Sequence, residues 1–342
     1  MDSIPQDSLQ ALQALIDGAA RVSVLGHTHP DGDALGSTAA LAVYLREVRG
    51  KDAVVLLPDT PADNLRFILP SSCPLLCGDT EPEAAAARIG ESDLIFLLDC
   101  NAFSRTEGLE PSLKASKAPK VLIDHHLNPQ RECFDLVFST PDISSASELL
   151  YWVLKGLAAP ASATPLTIGT CLLAGMTTDT NNFANSVYPS TFRMASELIA
   201  AGVDRDALLL QLYSSYRENR VRLFGYMQTE GLRILGEAAC MILTKDTLHR
   251  FDVREGETEG LVNVPLSIAG VRLSIFLKED NGHFRVSIRS KKGTSAQRLA
   301  AEYFHGGGHE NAAGGKLFIG ADIARPEDAA NYVESALKSF LR

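Results

Sequence analysis

Residues 21–48 read RVSVLGHTHPDGDALGSTAALAVYLREV. An apolar run of strand length, 21–26, gives way to a polar loop, and then to a segment, 34–48, that carries Leu35, Ala39, Ala42, Val43 and Leu45 on one helical stripe. This switch of period recurs downstream. Strand-length runs at 53–57, 93–98 and 119–123 alternate with an alanine-rich helical stretch at 81–89, and two further helices, 145–157 and 165–176, follow the fourth run. The alternation predicts an α/β fold whose N-terminal part is a largely parallel sheet flanked by helices.

The chain has 342 residues, more than one hydrophobic core normally serves, so two domains are expected. Residues 189–235 read as helical almost throughout, with Gly202 and Asp204 marking a break and a new N-cap. Beyond them, strand-like runs at 238–244, 271–277 and 283–289 precede a helix at 295–304 and the glycine-rich HGGGHENAAGG. The expected organisation is a first domain over 1–188, a helical linker over 189–236 and a smaller C-terminal α/β domain over 237–342.

Composition excludes several classes. With 45% hydrophobic and 22% charged residues the chain is neither disordered nor membrane-embedded, and no apolar run approaches the ~18 residues of a membrane span. MDSIPQDSLQ lacks the features of a secretory signal, so cytoplasmic residence is the expectation. Six cysteines without a C-x-x-C pair argue against zinc ribbons and disulfide frameworks, and they read as reduced core residues. A formal charge of −10 speaks against long nucleic acid as a partner, because that affinity is built from many phosphate neutralisations. A short, highly charged ligand in a local basic pocket remains compatible, and a homodimer is a state the sequence leaves open.

The chemistry-bearing residues fall after successive strands: His27 after the first, Asp99 after LIFLL, and Asp124-His125-His126 after VLI, with Asp179 following the helix at 165–176. In open α/β sheets ligands bind beyond the carboxyl ends of the strands, so groups distant in sequence can converge there. In HTHPDGDA, Asp31 and Asp33 flank Gly32, which is expected to permit a tight turn while Pro30 stiffens it. Each of these residues alone has an ordinary account: an aspartate after a strand is commonly a helix cap, and a loop histidine is commonly solvated. Their joint occurrence outweighs it. Several clustered aspartates need divalent cations to be buried together, and carboxylates mixed with imidazoles favour Mn²⁺, with Mg²⁺, Co²⁺ or Fe²⁺ as competitors. Two such ions suit phosphoryl chemistry. His29 and Asp59 read as structural, and Glu148 as a solvated or capping carboxylate.

In order along the chain, GHTHPDGDALGS, LLD ending at Asp99, DHH at 124–126 and TTDT around Asp179 match four motifs, and the chain thereby resembles the DHH phosphoesterase family with its C-terminal DHH-associated domain. The resemblance covers essentially the whole chain. It implies one metal held by His27, Asp31 and Asp99 and another by Asp33, Asp99, His125 and Asp179, with Asp99 bridging; His126 then touches the substrate phosphate and Asp124 orients the histidines. Catalytic roles fall by the same route to Asp33, Asp99, Asp124 and His126. RVSIRSKKG and HGGGHENAAGG resemble the associated domain's substrate clamp, in which Arg289, Gly307, Gly308 and His309 bind the ligand. Consecutive glycines let backbone N–H groups approach an anion, which agrees with that role. Arg105 matches a basic position of the family and is expected at the same phosphate, with a surface arginine as its alternative. Two departures stand out: His305 occupies the first glycine position of the clamp, and Asn181 replaces a glycine after TDT.

Short two-domain members of this kind imply hydrolysis of oligoribonucleotides of a few nucleotides and of 3′-phosphoadenosine-5′-phosphate (pAp). The alternatives are cyclic di-AMP or pApA phosphodiesterase, inorganic pyrophosphatase or exopolyphosphatase, and an inactive nucleotide sensor.

Overall fold

A computed structural model describes residues 4–157 and 165–341. The chain divides into two compact units, Met1–Ser215 and Tyr216–Arg342, with the division inside the segment expected as linker.

The first unit begins with α1 (Gln6–Gly18) and β1 (Arg21–Leu25), followed by α2 (Gly32–Val43), β2 (Asp52–Leu57), β3 (Leu75–Cys77), α3 (Pro82–Gly90), β4 (Leu94–Leu98), α4 (Glu110–Ala115), β5 (Lys120–Asp124) and β6 (Leu136–Ser139). Four helices complete it: α5 (Ala146–Gly156), α6 (Leu166–Asp179), α7 (Pro189–Ala200) and α8 (Arg205–Ser214). All six strands are parallel, in the order β3-β2-β1-β4-β5-β6. The four central strands, β2, β1, β4 and β5, are buried on both faces and are near-continuous apolar runs. Val24, Phe96 and Ile123 pack towards α2, α5 and α6, while Leu25, Ile95, Leu97 and Leu122 pack with Ala85, Ile89 and Leu113 of α3 and α4. The strand order reverses between β1 and β4, and a crevice for ligands opens at the carboxyl ends of such a pair.

The closest helix packing in this unit depends on glycine. A Cβ on Gly36 of α2 would stand 2.5 Å from the Cys171 carbonyl oxygen of α6, and one on Gly32 would stand 2.3 Å from Thr178 Oγ1. Gly32 is thus not the turn residue the sequence suggests. It opens a helix that starts two residues earlier than its apolar stripe, and it is glycine because α6 lies against it.

The second unit runs α9 (Glu218–Thr229), β7 (Leu232–Leu235), β8 (Ala238–Leu243), α10 (Lys245–Arg250), β9 (Leu273–Glu279), β10 (His283–Ser290), α11 (Ala296–Tyr303), β11 (Gly307–His309), β12 (Ala312–Phe318) and α12 (Ala329–Phe340). Its mixed sheet has the order β11-β12-β10-β9-β8-β7, with only β8 and β9 parallel. One face packs Phe284, Val286, Ile288 and Leu317 against α11 and α12; the other packs Met241 and Phe276 against Leu223 and Met227 of α9. One expectation needs correcting: residues 232–235 form an edge strand rather than the end of a helix. The glycine-rich tract is two paired strands, because Gly307–His309 run antiparallel to Ala312–Gly314. Five of the cysteines are buried and Cys133 is half-buried; all six are free.

Candidate active site

β1 delivers His27, β4 delivers Asp99, and β5 ends at Asp124 and hands on His125 and His126. Asp31 is the N-cap of α2: its Oδ1 accepts from the backbone N–H groups of Asp33 and Ala34 at 2.9 and 3.1 Å. The capping account and proximity to the site therefore hold for the same residue. Asp179 is the last residue of α6, and the glycine-mediated contact of α2 with α6 brings it to the aspartates of the first motif.

Asp99 is the centre of the cluster. It is 2% exposed, and its backbone sits at φ 54°, a left-handed conformation that aspartate tolerates better than most residues. The two carboxylate oxygens face different partners. Oδ2 lies 3.3 Å from His27 Nε2, which is also 3.9 Å from Asp31; Oδ1 lies 3.3 Å from His125 Nε2, which is 3.4 Å from Asp179 Oδ2. Two three-residue groups with metal-ligand spacing result, His27–Asp31–Asp99 and Asp33–His125–Asp179, and a third, Asp99–His125–His126, overlaps them.

The surroundings orient these groups. His27 Nδ1 is 2.7 Å from the Thr28 carbonyl, which assigns the ring proton there and turns Nε2 to the cluster. Asp33 is fully buried, and its two oxygens accept the N–H groups of Ala146 (2.7 Å) and Ser147 (2.9 Å) at the start of α5. That anchoring by a helix N-terminus has no signature near Asp33; the signal is Ser145, the N-cap of α5, 112 residues further on. Asp124 is also fully buried and holds His126 twice, by Oδ1 at the ring nitrogen Nδ1 (2.8 Å) and by Oδ2 at the backbone N–H (3.0 Å). Arg105 donates to His126 Nε2 at 3.1 Å and to the Asp99 carbonyl at 3.2 Å, so it belongs to the cluster rather than to an open surface. Asp59 fixes the first-motif loop by accepting from Thr28 Oγ1 at 2.6 Å. Glu148 is not solvated: it is fully buried and accepts from Ser144, Thr191 and Trp152.

The electrostatics test whether cations fit. Burial, reinforced by the neighbouring Asp99 charge, pushes Asp33 up to about 7, and burial together with Asp33 holds Asp179 well above the usual carboxylate range. Burial opposes the imidazolium of His125, yet Asp99 and Asp179 raise it to about 10; His27 is raised by Asp99 in the same way. Burial works against the charged form of Asp99 too, but His125 and His27 keep its carboxyl well below the ordinary value. Without metal, protons balance a concentration of negative charge that the protein alone does not neutralise. Asp99 Oδ1 is moreover buried without a well-aligned hydrogen bond. A buried carboxylate oxygen without an aligned hydrogen bond, imidazole nitrogens directed inward and no thiolate in the cluster together fit hard or borderline divalent cations.

In the second unit, Arg289 on β10 and His309 on β11 both pair with Ala312 of β12, one from each side, so antiparallel register places them on one face of the sheet. Both departures from the family pattern occupy left-handed backbone, Asn181 at φ 47° and His305 at φ 46°. Asparagine adopts that conformation readily. His305 is held in it by an ion pair with Asp322 at 2.9 Å and by edge contact with Phe318.

A carboxylate–imidazole cluster at the switch point of a parallel sheet has the donor set of a metal-dependent enzyme. The chain belongs to the DHH family: residues 21–176 match the DHH family N-terminal domain and residues 238–338 the DHHA1 domain. As a member it is a hydrolase acting on phosphoester bonds. It is 29% identical to the bifunctional oligoribonuclease and PAP phosphatase NrnA of Bacillus subtilis, over 85% of this chain and 88% of that protein. The cyclic-di-AMP phosphodiesterase GdpP of Geobacillus thermodenitrificans is 27% identical over 90% of this chain but only 46% of its own length. The crystal structure of an exopolyphosphatase-related protein from Bacteroides fragilis superposes with a TM-score of 0.91 at 34% identity, covering 99% of this chain and 98% of that one.

Proposed function

We propose that this protein hydrolyses oligoribonucleotides of a few residues and pAp, using two divalent cations, Mn²⁺ foremost. The observation that carries the reading is the divided orientation of Asp99, with one oxygen towards His27 and the other towards His125, which suits a carboxylate shared by two ions. His27, Asp31 and Asp99 would hold one ion, and Asp33, Asp99, His125 and Asp179 the other. Ions bound there supply positive charge to the phosphoryl oxygens and activate water for attack. The chain's own groups do the rest. Arg105 binds a non-bridging phosphate oxygen by charge-assisted hydrogen bonds, and His126, held at Nδ1 by Asp124, exchanges its Nε2 contact with Arg105 for one to the same phosphate. Asp33, fixed at both oxygens by α5, keeps its place while charge redistributes, so the site needs little reorganisation during reaction. Arg289, Gly307, Gly308 and His309 bind the nucleotide.

Short RNA and pAp are preferred over other phosphoesters because the Bacillus subtilis relative, matched over most of its length, carries that pair of activities in its name. No helix among the described residues is long and apolar enough to cross a membrane, in keeping with a cytoplasmic site of action. The test is hydrolysis of pAp, pApA, a 5′-phosphorylated pentanucleotide, cyclic di-AMP and pyrophosphate with Mn²⁺. Highest kcat/KM on the pentanucleotide and pAp is expected. Preference for cyclic di-AMP or pyrophosphate would overturn the assignment.

A further inference from the structure

The first turn of α5 holds a carboxylate that belongs to another helix. The N–H groups at the start of a helix have no partner within it. In α5 the Glu148 N–H donates to the N-cap hydroxyl of Ser145 at 3.0 Å, whereas those of Ala146 and Ser147 go to Asp33 of α2. The place of Asp33 in the cluster is therefore set by where that turn lies. The fit has no slack: a Cβ on Gly175 of α6 would stand 2.1 Å from Ser147 Oγ and 2.8 Å from Asp33 Oδ1, so both lie hard against the α6 backbone.

Glu148 ties the turn down. In a capping box the acidic side chain three residues after the cap returns to the N–H of the cap itself. Glu148 reaches one residue further back, where its Oε2 accepts from the Ser144 N–H at 3.2 Å and from the Ser144 hydroxyl. The same oxygen accepts from Thr191 Oγ1, in the first turn of α7, at 2.7 Å, and Oε1 takes the Trp152 indole N–H. Glu148, Ser144 and Thr191 are all buried, and each of these partners donates. A buried carboxylate that makes no ion pair among the described residues is a costly way to fill a core. What it adds over an apolar side chain is a bond from α5 to the chain ahead of it and to α7.

We infer that Glu148 is a positioning residue for the metal centre: it fixes the turn that seats Asp33 and thereby sets the affinity of the ion at Asp33, His125 and Asp179 without touching that ion. The inference rests on the reading of Asp33 as a ligand and adds a residue behind it. Glu148→Gln is the discriminating change, because an amide has one accepting oxygen where the carboxylate has two. Turned towards Ser144 and Thr191, that oxygen leaves the NH₂ group against the Trp152 N–H, and the turn loosens at nearly constant volume.

The experiment titrates Mn²⁺ into the metal-free full chain by calorimetry, for the parent, Glu148→Gln, Thr191→Val, Asp33→Asn and Glu197→Gln. Glu197→Gln is the same chemical change at a half-buried glutamate paired with Lys155. Far-ultraviolet circular dichroism reports whether each variant is folded. Two binding steps are expected in the parent. Glu148→Gln should weaken one of them about tenfold or more, the scale on which partners behind a metal ligand act. It should be the step that Asp33→Asn weakens, with the other step within twofold and Glu197→Gln without effect on either. The Mn²⁺ concentration giving half-maximal turnover of pAp should rise by the same factor, while KM for pAp at saturating Mn²⁺ stays within twofold. Thr191→Val should weaken the same step by less, and decides the matter alone if Glu148→Gln does not fold. Two unchanged steps, equal weakening of both, or the same loss in Glu197→Gln would refute the inference. A parent that binds one ion, weakened alike by Glu148→Gln and Asp33→Asn, would overturn the two-ion reading and keep Glu148 in its role.

Discussion

Gly36→Ala sets two effects of opposite sign against each other. In an isolated helix the change stabilises by about 1 kcal/mol, because glycine has more backbone freedom to lose. Here the added methyl stands 2.5 Å from the Cys171 carbonyl oxygen and 2.9 Å from the Gly175 nitrogen, about 0.9 Å inside the 3.4 Å at which ordinary contact begins. Both obstacles are backbone, so no side chain can rotate away and α2 must move off α6. Overpacking of this kind costs roughly 1–3 kcal/mol, and the rigid obstacle places it near the top of that range. A net loss of about 2 kcal/mol is expected. α2 carries Asp31 and Asp33 while α6 carries Asp179, so the same separation should weaken Mn²⁺ binding by tenfold or more. Urea unfolding read by far-ultraviolet circular dichroism, with Mn²⁺ titration by calorimetry, gives both numbers. A variant as stable as the parent with undiminished Mn²⁺ affinity would show that the helix contact does not position the cluster.

Asp99→Ala should abolish turnover and reduce Mn²⁺ stoichiometry or affinity while leaving a folded protein, since the residue's two oxygens face both ligand groups; full activity in that variant would end the bridging reading. Arg289→Ala should raise KM for pAp roughly ten- to hundredfold with kcat within a few-fold, the pattern of a contact made equally in ground and transition states; an unchanged KM would remove Arg289 from nucleotide binding. Asp280, hydrogen-bonded by Arg285, is lowered to about 2 in the folded chain. Because its folded value lies below the ordinary one near 3.9, the stability it contributes is present above about pH 4 and fades as pH falls towards 2. Asp280→Asn should flatten that part of the acid unfolding profile, by little because the pair is partly exposed; an identical profile would refute the assignment.

The fold of the first unit was legible wherever a strand is buried on both faces. LIFLL and KVLI announce themselves by apolar content, and placing His27, Asp99 and His125 at their ends needed only the rule for parallel sheets. β3 and β6 gave no such signal, being three- and four-residue edge strands with half-buried positions. β12 was hidden by its own glycines, Gly314 and Gly315, and is strand because it pairs along its whole length with β10. The metal-ligand candidates could be listed from motif order, but the reasons for their geometry could not. Gly32 looked like a turn residue because its packing partner, Thr178, is 146 residues away. Glu148 looked solvated because Ser144, Thr191 and Trp152, which bury and satisfy it, form no recognisable pattern in the chain.

The anchoring of Asp33 by the first turn of α5 also gives the protein an optical reporter. Trp152 is the only tryptophan in the sequence, it lies on α5, and its indole N–H donates to Glu148 Oε1 at 3.3 Å, about one and a half turns from the N–H groups that grip Asp33. Lys155 and Arg193 lie over its ring, so the excited indole sits between a buried carboxylate and two cations, surroundings to which its emission responds. An adjustment of Asp33 on ion entry would reach that indole along about one and a half turns of α5. Intrinsic fluorescence of the unlabelled chain is therefore the natural readout to try for occupancy of the cluster, with no second tryptophan to dilute the signal.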